Sequence, residues 1–134
     1  MKKLYCALFP DREMFRSATK NLRSSPLPHE VEALHMTVAY RPQDYHEDLL
    51  GRTAVITICG YGNDGKNEGF LVKASSEDPQ LQILLDKVGA PHITLAVAEG
   101  GIMADTAKIM FQEINHVSFP AKYGIFQSDG TILL

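Results

Sequence analysis

The sequence predicts one α+β domain built from two related halves. Its 134 residues, 45% of them hydrophobic, are enough for a continuous core without a metal or a disulfide. Segments with strand-like and helix-like periodicity alternate along the chain. The order His-apolar-Thr-apolar-Ala occurs twice, at 35–39 and at 92–96, and each copy follows a predicted helix. Together these observations indicate pseudo-twofold character, with one His-x-Thr strand in each half.

The first half is predicted to form a strand, a helix and a second strand. Residues 3–9 are apolar and strand-like, and Pro10-Asp11 opens a helix that ends in the Ser- and Pro-rich stretch 24–28. The first His-x-Thr strand covers 34–40. Apolar residues at helical spacing define the inward face of the helix: Met14, Phe15, Ala18 and Leu22.

A β-hairpin is predicted in the middle of the chain. Its strands are the β-branched run 53–58 and the apolar run 70–74, joined by the glycine-rich stretch 60–69. Such a loop also suggests a phosphate cradle. It lacks the Gly-Lys-Ser/Thr ending, however, and leads into a strand rather than a helix, so we interpret it as structural.

The second half repeats the helix-then-strand plan. Asp78-Pro79 begins a helix that ends at Gly89, and the second His-x-Thr strand follows at 91–97. Asp105 is predicted to cap a third helix, and two short strands around Asp129-Gly130 close the chain. The third helix would turn four apolar residues inward: Ala107, Met110, Phe111 and Ile114.

Composition excludes several classes of function. A formal charge of −3 disfavours a protein that coats long nucleic acid, but permits a small anionic ligand. No stretch of about 20 apolar residues is present, and the first residues do not resemble a signal peptide. Cys6 and Cys59 lie in apolar runs, as buried thiols of a reducing compartment do. We therefore expect a cytoplasmic protein without membrane contact.

The paired motifs predict acid–base chemistry. Period-2 alternation puts His35 and Thr37 on one strand face, and His92 and Thr94 on the corresponding face of the other strand. One imidazole can accept a proton from an attacking hydroxyl while the other donates one to a departing oxygen. The threonine hydroxyls can bind phosphate oxygens. This scheme cleaves a phosphodiester and requires no metal or other cofactor.

The tetrads His35-Met36-Thr37-Val38 and His92-Ile93-Thr94-Leu95 resemble the two signature motifs of the 2H phosphoesterase superfamily. That superfamily includes LigT-like RNA 2′,3′-cyclic phosphodiesterases and phage anti-CBASS nucleases. The resemblance implies a bilobal fold, in which two mainly antiparallel sheets form a concave groove with helices outside. It implies a metal-free mechanism, with the histidines as general base and acid and the threonines as phosphate ligands. Which histidine plays which role stays open.

The expected substrate is a small cyclic nucleotide, a cyclic oligonucleotide or a 2′,3′-cyclic phosphate, including one at an RNA end. Tyr5 on the first strand and Tyr123 in the terminal hairpin are candidates for stacking on a base. Two alternatives remain: a module that sequesters a cyclic nucleotide without turnover, and a structural or interaction protein on the same scaffold. We expect a monomer.

Overall fold

The computed structural model describes residues 2–31 and 33–134. It is mostly β, with 44% strand and 19% helix. Within the described residues the strands and α-helices are β1 (Lys3–Pro10), α1 (Arg12–Thr19), β2 (Met36–Tyr40), β3 (Thr53–Asn63), β4 (Asn67–Ser75), α2 (Pro79–Asp86), β5 (His92–Val97), β6 (Gln112–Gln127) and β7 (Ile132–Leu133). Short 3₁₀ helices lie at Glu47–Leu49 and Met103–Lys108.

The strands form a closed ring rather than two sheets. Antiparallel pairing runs in the order β1, β2, β5, β4, β3, β6, and β6 pairs again with β1, while β7 is added to β6. The expectation of a bilobal α+β fold with two sheets and a groove is therefore wrong: the chain forms a closed six-stranded antiparallel barrel with one extra strand. Closure depends on β6, whose 16 residues pair with β3 on one side and with β1 on the other.

The start of β6 replaces most of the predicted third helix. Only a 3₁₀ helix forms, at Met103–Lys108, and the chain is in the strand by Gln112. The cause lies in β3, where a Cβ on Gly62 would come within 2.5 Å of the Met110 carbonyl oxygen. The glycine lets the approach to β6 lie directly on β3. Met110, predicted to face inward, is instead 91% exposed.

Local signals predicted where the other two helices begin and that β3 pairs with β4, but not how far these elements extend. Helix α1 ends at Thr19, before the predicted inward residue Leu22, and Met14, also predicted to face inward, is 51% exposed. Most of the predicted loop 60–69 is strand, and the turn spans only 64–66.

The Asp11 carboxylate accepts a hydrogen bond from the Met14 amide at 2.9 Å and caps α1. Asp78 caps α2 in the same way. The strands β3 and β4 pair as the predicted hairpin. In the core, Phe15 of α1 packs edge-on against Phe70 and Phe119, with ring centroids 6.1 and 5.2 Å apart.

The buried carboxylate of Glu68 holds the chain that follows α1 by binding Arg23 and Leu27. Glu68 is 0% exposed and accepts hydrogen bonds from the Arg23 guanidinium, from the Tyr61 hydroxyl at 2.7 Å and from the Leu27 amide at 3.0 Å. Burial alone would raise the pKa of Glu68, but these three partners outweigh it and the pKa lies below its ordinary value of 4.5.

A few residues later, residues 29–31 run beside β5. The Val31 amide donates to the Leu95 carbonyl at 3.0 Å, and the Val97 amide donates to the His29 carbonyl at 3.3 Å. These bonds fix the chain just before the first His-x-Thr motif. The Glu68 cluster therefore helps to position residues 29–31, which precede the first motif.

Replacing Glu68 with Gln should destabilise the fold by about 3 kcal/mol, because it leaves the largely buried Arg23 without its buried partner. Urea unfolding measures this change in the free energy of unfolding. As a matched control, Glu47→Gln removes the solvent-exposed Lys3–Glu47 pair and should cost less than about 1 kcal/mol. Equal losses in the two variants would contradict the role given to Glu68.

The effect of Glu68→Gln on the free energy of unfolding should depend on pH. Since the folded-state pKa of Glu68 is depressed, its contribution is complete above about pH 4.5 and is lost as the pH falls through the folded-state pKa. The difference in unfolding free energy between the natural protein and Glu68→Gln should therefore be constant above about pH 4.5 and shrink as the pH falls below it. A difference that does not shrink would contradict this assignment.

Candidate active site

The two His-x-Thr strands are direct neighbours in the barrel. Met36 of β2 lies opposite Ile93 of β5 in the antiparallel register, and both side chains are 0% exposed. Since side chains alternate between faces, the flanking residues lie on the outer face of this strand pair. In that register the histidine of each motif falls opposite the threonine of the other. The resulting pairs are His35 with Thr94 and Thr37 with His92.

All four of these side chains line one cavity of about 930 Å³. His35 and His92 are diagonal neighbours across this antiparallel strand pair. Such neighbours lie about 7–8 Å apart, a separation that lets two side chains act on one small ligand. The walls come from β1, the segment before β2, the 3₁₀ helix at Met103–Lys108 and the β6–β7 hairpin. Lining residues that the motifs did not predict are Phe9, Pro10, Arg12, Val31, Ala33, Leu34, Tyr40, Met103, Ala104, Phe126, Gly130 and Ile132.

Both imidazoles are held in the same tautomer. His35 Nδ1 lies 2.6 Å from the Ala33 carbonyl oxygen, and His92 Nδ1 lies 2.8 Å from the Ala90 carbonyl oxygen. A carbonyl only accepts hydrogen bonds, so each Nδ1 carries a proton and donates it. In a neutral ring, Nε2 is then the unprotonated nitrogen that remains available to a ligand. The two motifs thus prepare their histidines in the same way.

His35 lies among aromatic rings of β1. The Tyr5 ring stacks on it with centroids 4.6 Å apart, and the Phe9 ring lies 5.9 Å away. Burial lowers the pKa of His35 below its ordinary value of 6.5; the Ala33 carbonyl opposes this shift, and the nearby His92 adds to it. His35 is therefore neutral at physiological pH and ready to accept a proton on Nε2.

Tyr5 lines the cavity but also supports His35. Its ring stacks on Phe126 as well, with centroids 5.0 Å apart, and its hydroxyl oxygen is 3.3 Å from His35 Nδ1. Burial raises the pKa of Tyr5 to about 12, so the hydroxyl stays protonated. The predicted base-stacking residue thus already has an aromatic ring and an imidazole as its stacking partners.

Tyr123, the other predicted substrate-binding residue, does not line the cavity. It lies opposite Leu8 on the inner face of β6, is 0% exposed, and donates a hydrogen bond to the Tyr45 carbonyl at 2.7 Å. A side chain without exposed surface cannot stack on a ligand, so the geometry gives this prediction no support. Phe126 occupies the outer face instead. The alternation of Tyr123 and Ile125 against Phe126 is the sequence signal that identifies it.

The two threonines differ in their hydrogen bonding. Thr94 is buried and donates to the Thr106 hydroxyl oxygen at 3.0 Å. For the Thr37 hydroxyl, no hydrogen-bond partner is found in the part of the chain that the structure describes. Thr37 is therefore free to donate to a ligand, whereas the Thr94 proton is already engaged.

The rim of the cavity is apolar, and few charged side chains line the cavity. Tyr40, Met103 and Ile132 are 66%, 45% and 39% exposed. Among residues 2–31 and 33–134, Arg12 at the start of α1 is the one Lys or Arg side chain that lines the cavity. The ligand that fits best carries few negative charges and has flat or apolar groups beside them.

No family model matches this chain, and a search of curated proteins finds no significant match. Within the described residues, no helix has both the length and the apolar character needed to cross a bilayer. The same residues contain no group of three or more His, Cys, Asp or Glu side chains placed to hold a metal ion.

Nitrogen-15 NMR of the histidine rings tests the site in the resting protein. We expect His35 to titrate below pH 6.5 and to show a protonated Nδ1 in its neutral form. Replacing His92 with Gln should raise the pKa of His35, because it removes a like charge. A His35 that titrates at or above pH 6.5, or does not respond to the His92 variant, would contradict the described geometry.

Proposed function

We propose that this chain is a metal-independent phosphodiesterase that cleaves a small cyclic nucleotide, a cyclic oligonucleotide or a 2′,3′-cyclic phosphate. The observation that carries the proposal is the meeting of His35, Thr37, His92 and Thr94 along one cavity, with Nε2 of both imidazoles available. The site residues also resemble the two tetrads of the 2H phosphoesterases, which use paired histidines in this way. Since the barrel is not the fold that the resemblance implied, the proposal depends on the site alone.

The pKa of His35 supports a division of roles. A neutral His35 accepts a proton from the attacking water or hydroxyl as its oxygen bonds to phosphorus. His92 donates a proton to the ester oxygen that leaves as its bond to phosphorus breaks. At the end His35 is protonated and His92 is neutral, and exchange with solvent restores both rings. This assigns His35 as general base and His92 as general acid.

Thr37 and Arg12 supply the polar contacts to the phosphate. The free Thr37 hydroxyl lies opposite His92 in the strand register, beside the position proposed for the leaving oxygen. It can donate to a non-bridging phosphate oxygen, where negative charge grows in the transition state. The Arg12 guanidinium, in the same cavity, compensates the ligand's charge.

The size and lining of the cavity favour a small nucleotide. Its volume of about 930 Å³ lies at the upper end of ordinary small-molecule sites. Aromatic and aliphatic side chains such as Phe9, Leu34 and Phe126 can contact one or two bases while the phosphate lies at the histidines. Buried, unpaired Cys6 and Cys59 fit the cytoplasmic setting that this proposal includes.

Incubation with 2′,3′-cyclic mononucleotides and a panel of cyclic di- and trinucleotides in EDTA tests the proposal. We expect turnover of at least one of them. His35→Ala and His92→Ala should each lower kcat by roughly 10²–10⁴-fold, because each removes a proton-transfer group. His116→Ala, at an exposed position of β6, is the matched control and should retain full activity.

The other outcomes of this assay are also informative. Tight binding with unchanged nucleotide identifies a sequestering module and contradicts the proposed catalysis. Turnover that survives both histidine variants would show that another site is responsible.

The pH dependence tests the assignment of the base. Because His35 must be neutral to accept a proton, kcat/KM should fall as the pH drops through its lowered pKa. The midpoint of this acidic limb should lie below pH 6.5 and should move upward in the His92→Gln variant, in parallel with the pKa of His35. An acidic limb that stays in place would contradict the assignment of His35 as the base.

A further inference from the structure

The Thr94 hydroxyl is held by side chains outside both motifs. Thr94 Oγ1 donates to Thr106 Oγ1 at 3.0 Å, and Asn67 Nδ2 donates to the same Thr106 oxygen at 2.9 Å. The Asn67 amide also donates to the Ile102 carbonyl at 2.8 Å. Thr94, Thr106 and Asn67 are 7%, 0% and 1% exposed. Buried polar groups persist when they are hydrogen-bonded, and these three side chains are hydrogen-bonded to one another.

A glycine makes room for this contact. Gly69 of β4 lies opposite Thr94 in the β4–β5 register. A Cβ at position 69 would lie 2.5 Å from the Thr106 methyl carbon and 2.7 Å from the Ile93 carbonyl oxygen. Only glycine therefore lets the Met103–Lys108 helix approach closely enough for Thr106 to reach Thr94.

The contact makes the two motifs chemically different. A hydroxyl has one proton, and that of Thr94 is donated to Thr106, so Thr94 offers only oxygen lone pairs to a ligand. Thr94 also lies opposite His35 in the strand register, whereas Thr37 lies opposite His92. The base proposed for the attacking water is thus paired with a hydrogen-bond acceptor. The proposed acid is paired with a hydrogen-bond donor.

We propose that Thr106 is a positioning residue that fixes Thr94 as an acceptor, so that His35 and Thr94 together orient the attacking water. This inference rests on the proposed function. Water has two protons: His35 Nε2 takes one as the oxygen–phosphorus bond forms, and Thr94 Oγ1 accepts a hydrogen bond from the other. Thr37 is then the threonine that contacts the phosphate. Thr106 touches neither the substrate nor the water and acts only through Thr94.

Two substitutions separate the Thr106 hydroxyl from its packing. Thr106→Val keeps the shape beside Gly69 but loses the hydroxyl, and Thr106→Ser keeps the hydroxyl but loses the methyl. We expect Thr106→Val to lower kcat for hydrolysis about 10- to 100-fold with little change in KM, because one orienting hydrogen bond is lost. Thr106→Ser should stay within about threefold of the natural protein. Equal losses in the two variants would overturn the proposal in favour of simple packing.

Methanol as a competing nucleophile gives a readout that a structural role would not change. Its single hydroxyl proton goes to His35, and no second proton remains for Thr94. The ratio of methanolysis to hydrolysis should therefore rise in Thr106→Val and in Thr94→Val, but not in Thr106→Ser. Thr94→Val also removes the contact from the other side, which keeps the test decisive if Thr106→Val does not fold. An unchanged ratio in the folded variants would overturn the proposal.

NMR separates this inference from the proposed function. Three-bond couplings to the Thr94 methyl group report its χ1 rotamer without any substrate. They should show one rotamer in the natural protein and in Thr106→Ser, and averaging in Thr106→Val. Unchanged couplings in Thr106→Val would overturn the positioning role even if the enzyme is active. If the couplings respond but the natural protein cleaves nothing on the panel, the proposed function fails and the water-orienting role fails with it.

Discussion

The site depends on the pairing of β2 with β5 at Met36 and Ile93. Both side chains are fully buried, and a slip by one residue would expose both of them and turn the histidines into the core. The hydrophobic effect therefore fixes the register that brings the two His-x-Thr motifs to one face. The chemistry of the cavity is a consequence of core packing on the opposite side of the same two strands.

Other parts of the fold give the two His-x-Thr motifs different surroundings. The Glu68 cluster holds the chain at Arg23 and Leu27, residues 29–31 bond to β5, and Tyr5 stacks on the His35 ring. On the other strand, Thr94 is tied to Thr106 through space that Gly69 leaves free. His35 is consequently half-buried, with a lowered pKa, and faces an acceptor across the strands. The Thr37 hydroxyl, by contrast, has no hydrogen-bond partner among residues 2–31 and 33–134. Similar motifs thus acquire different surroundings from residues outside the motifs.

Sequence reasoning located the motif faces because strand alternation is a local property. It also identified β1, the start of both α-helices and the pairing of β3 with β4 from nearby residues. The predicted cap Asp105 is wrong, because it lies inside the 3₁₀ helix that begins after Ile102. The closed barrel was not predictable in this way, since closure depends on the non-local pairing of β6 with both β1 and β3. The segment around Met110 has helical spacing, and only its docking on Gly62 shows why it becomes extended. The sequence suggested Tyr123 as a substrate-binding residue for a related reason. Its inward orientation follows from the β1–β6 register, which the sequence does not display.

The proposed mechanism requires both imidazoles to act on the same phosphate group. Its most direct test is a titration of the protein with a slowly cleaved cyclic phosphorothioate nucleotide, followed by nitrogen-15 NMR of the histidine rings. We expect the Nε2 signals of His35 and His92 to shift together and to saturate on one curve at one equivalent of ligand. If only one ring responds, or if the two rings saturate at different ligand concentrations, the histidines do not share a phosphate and the account is contradicted.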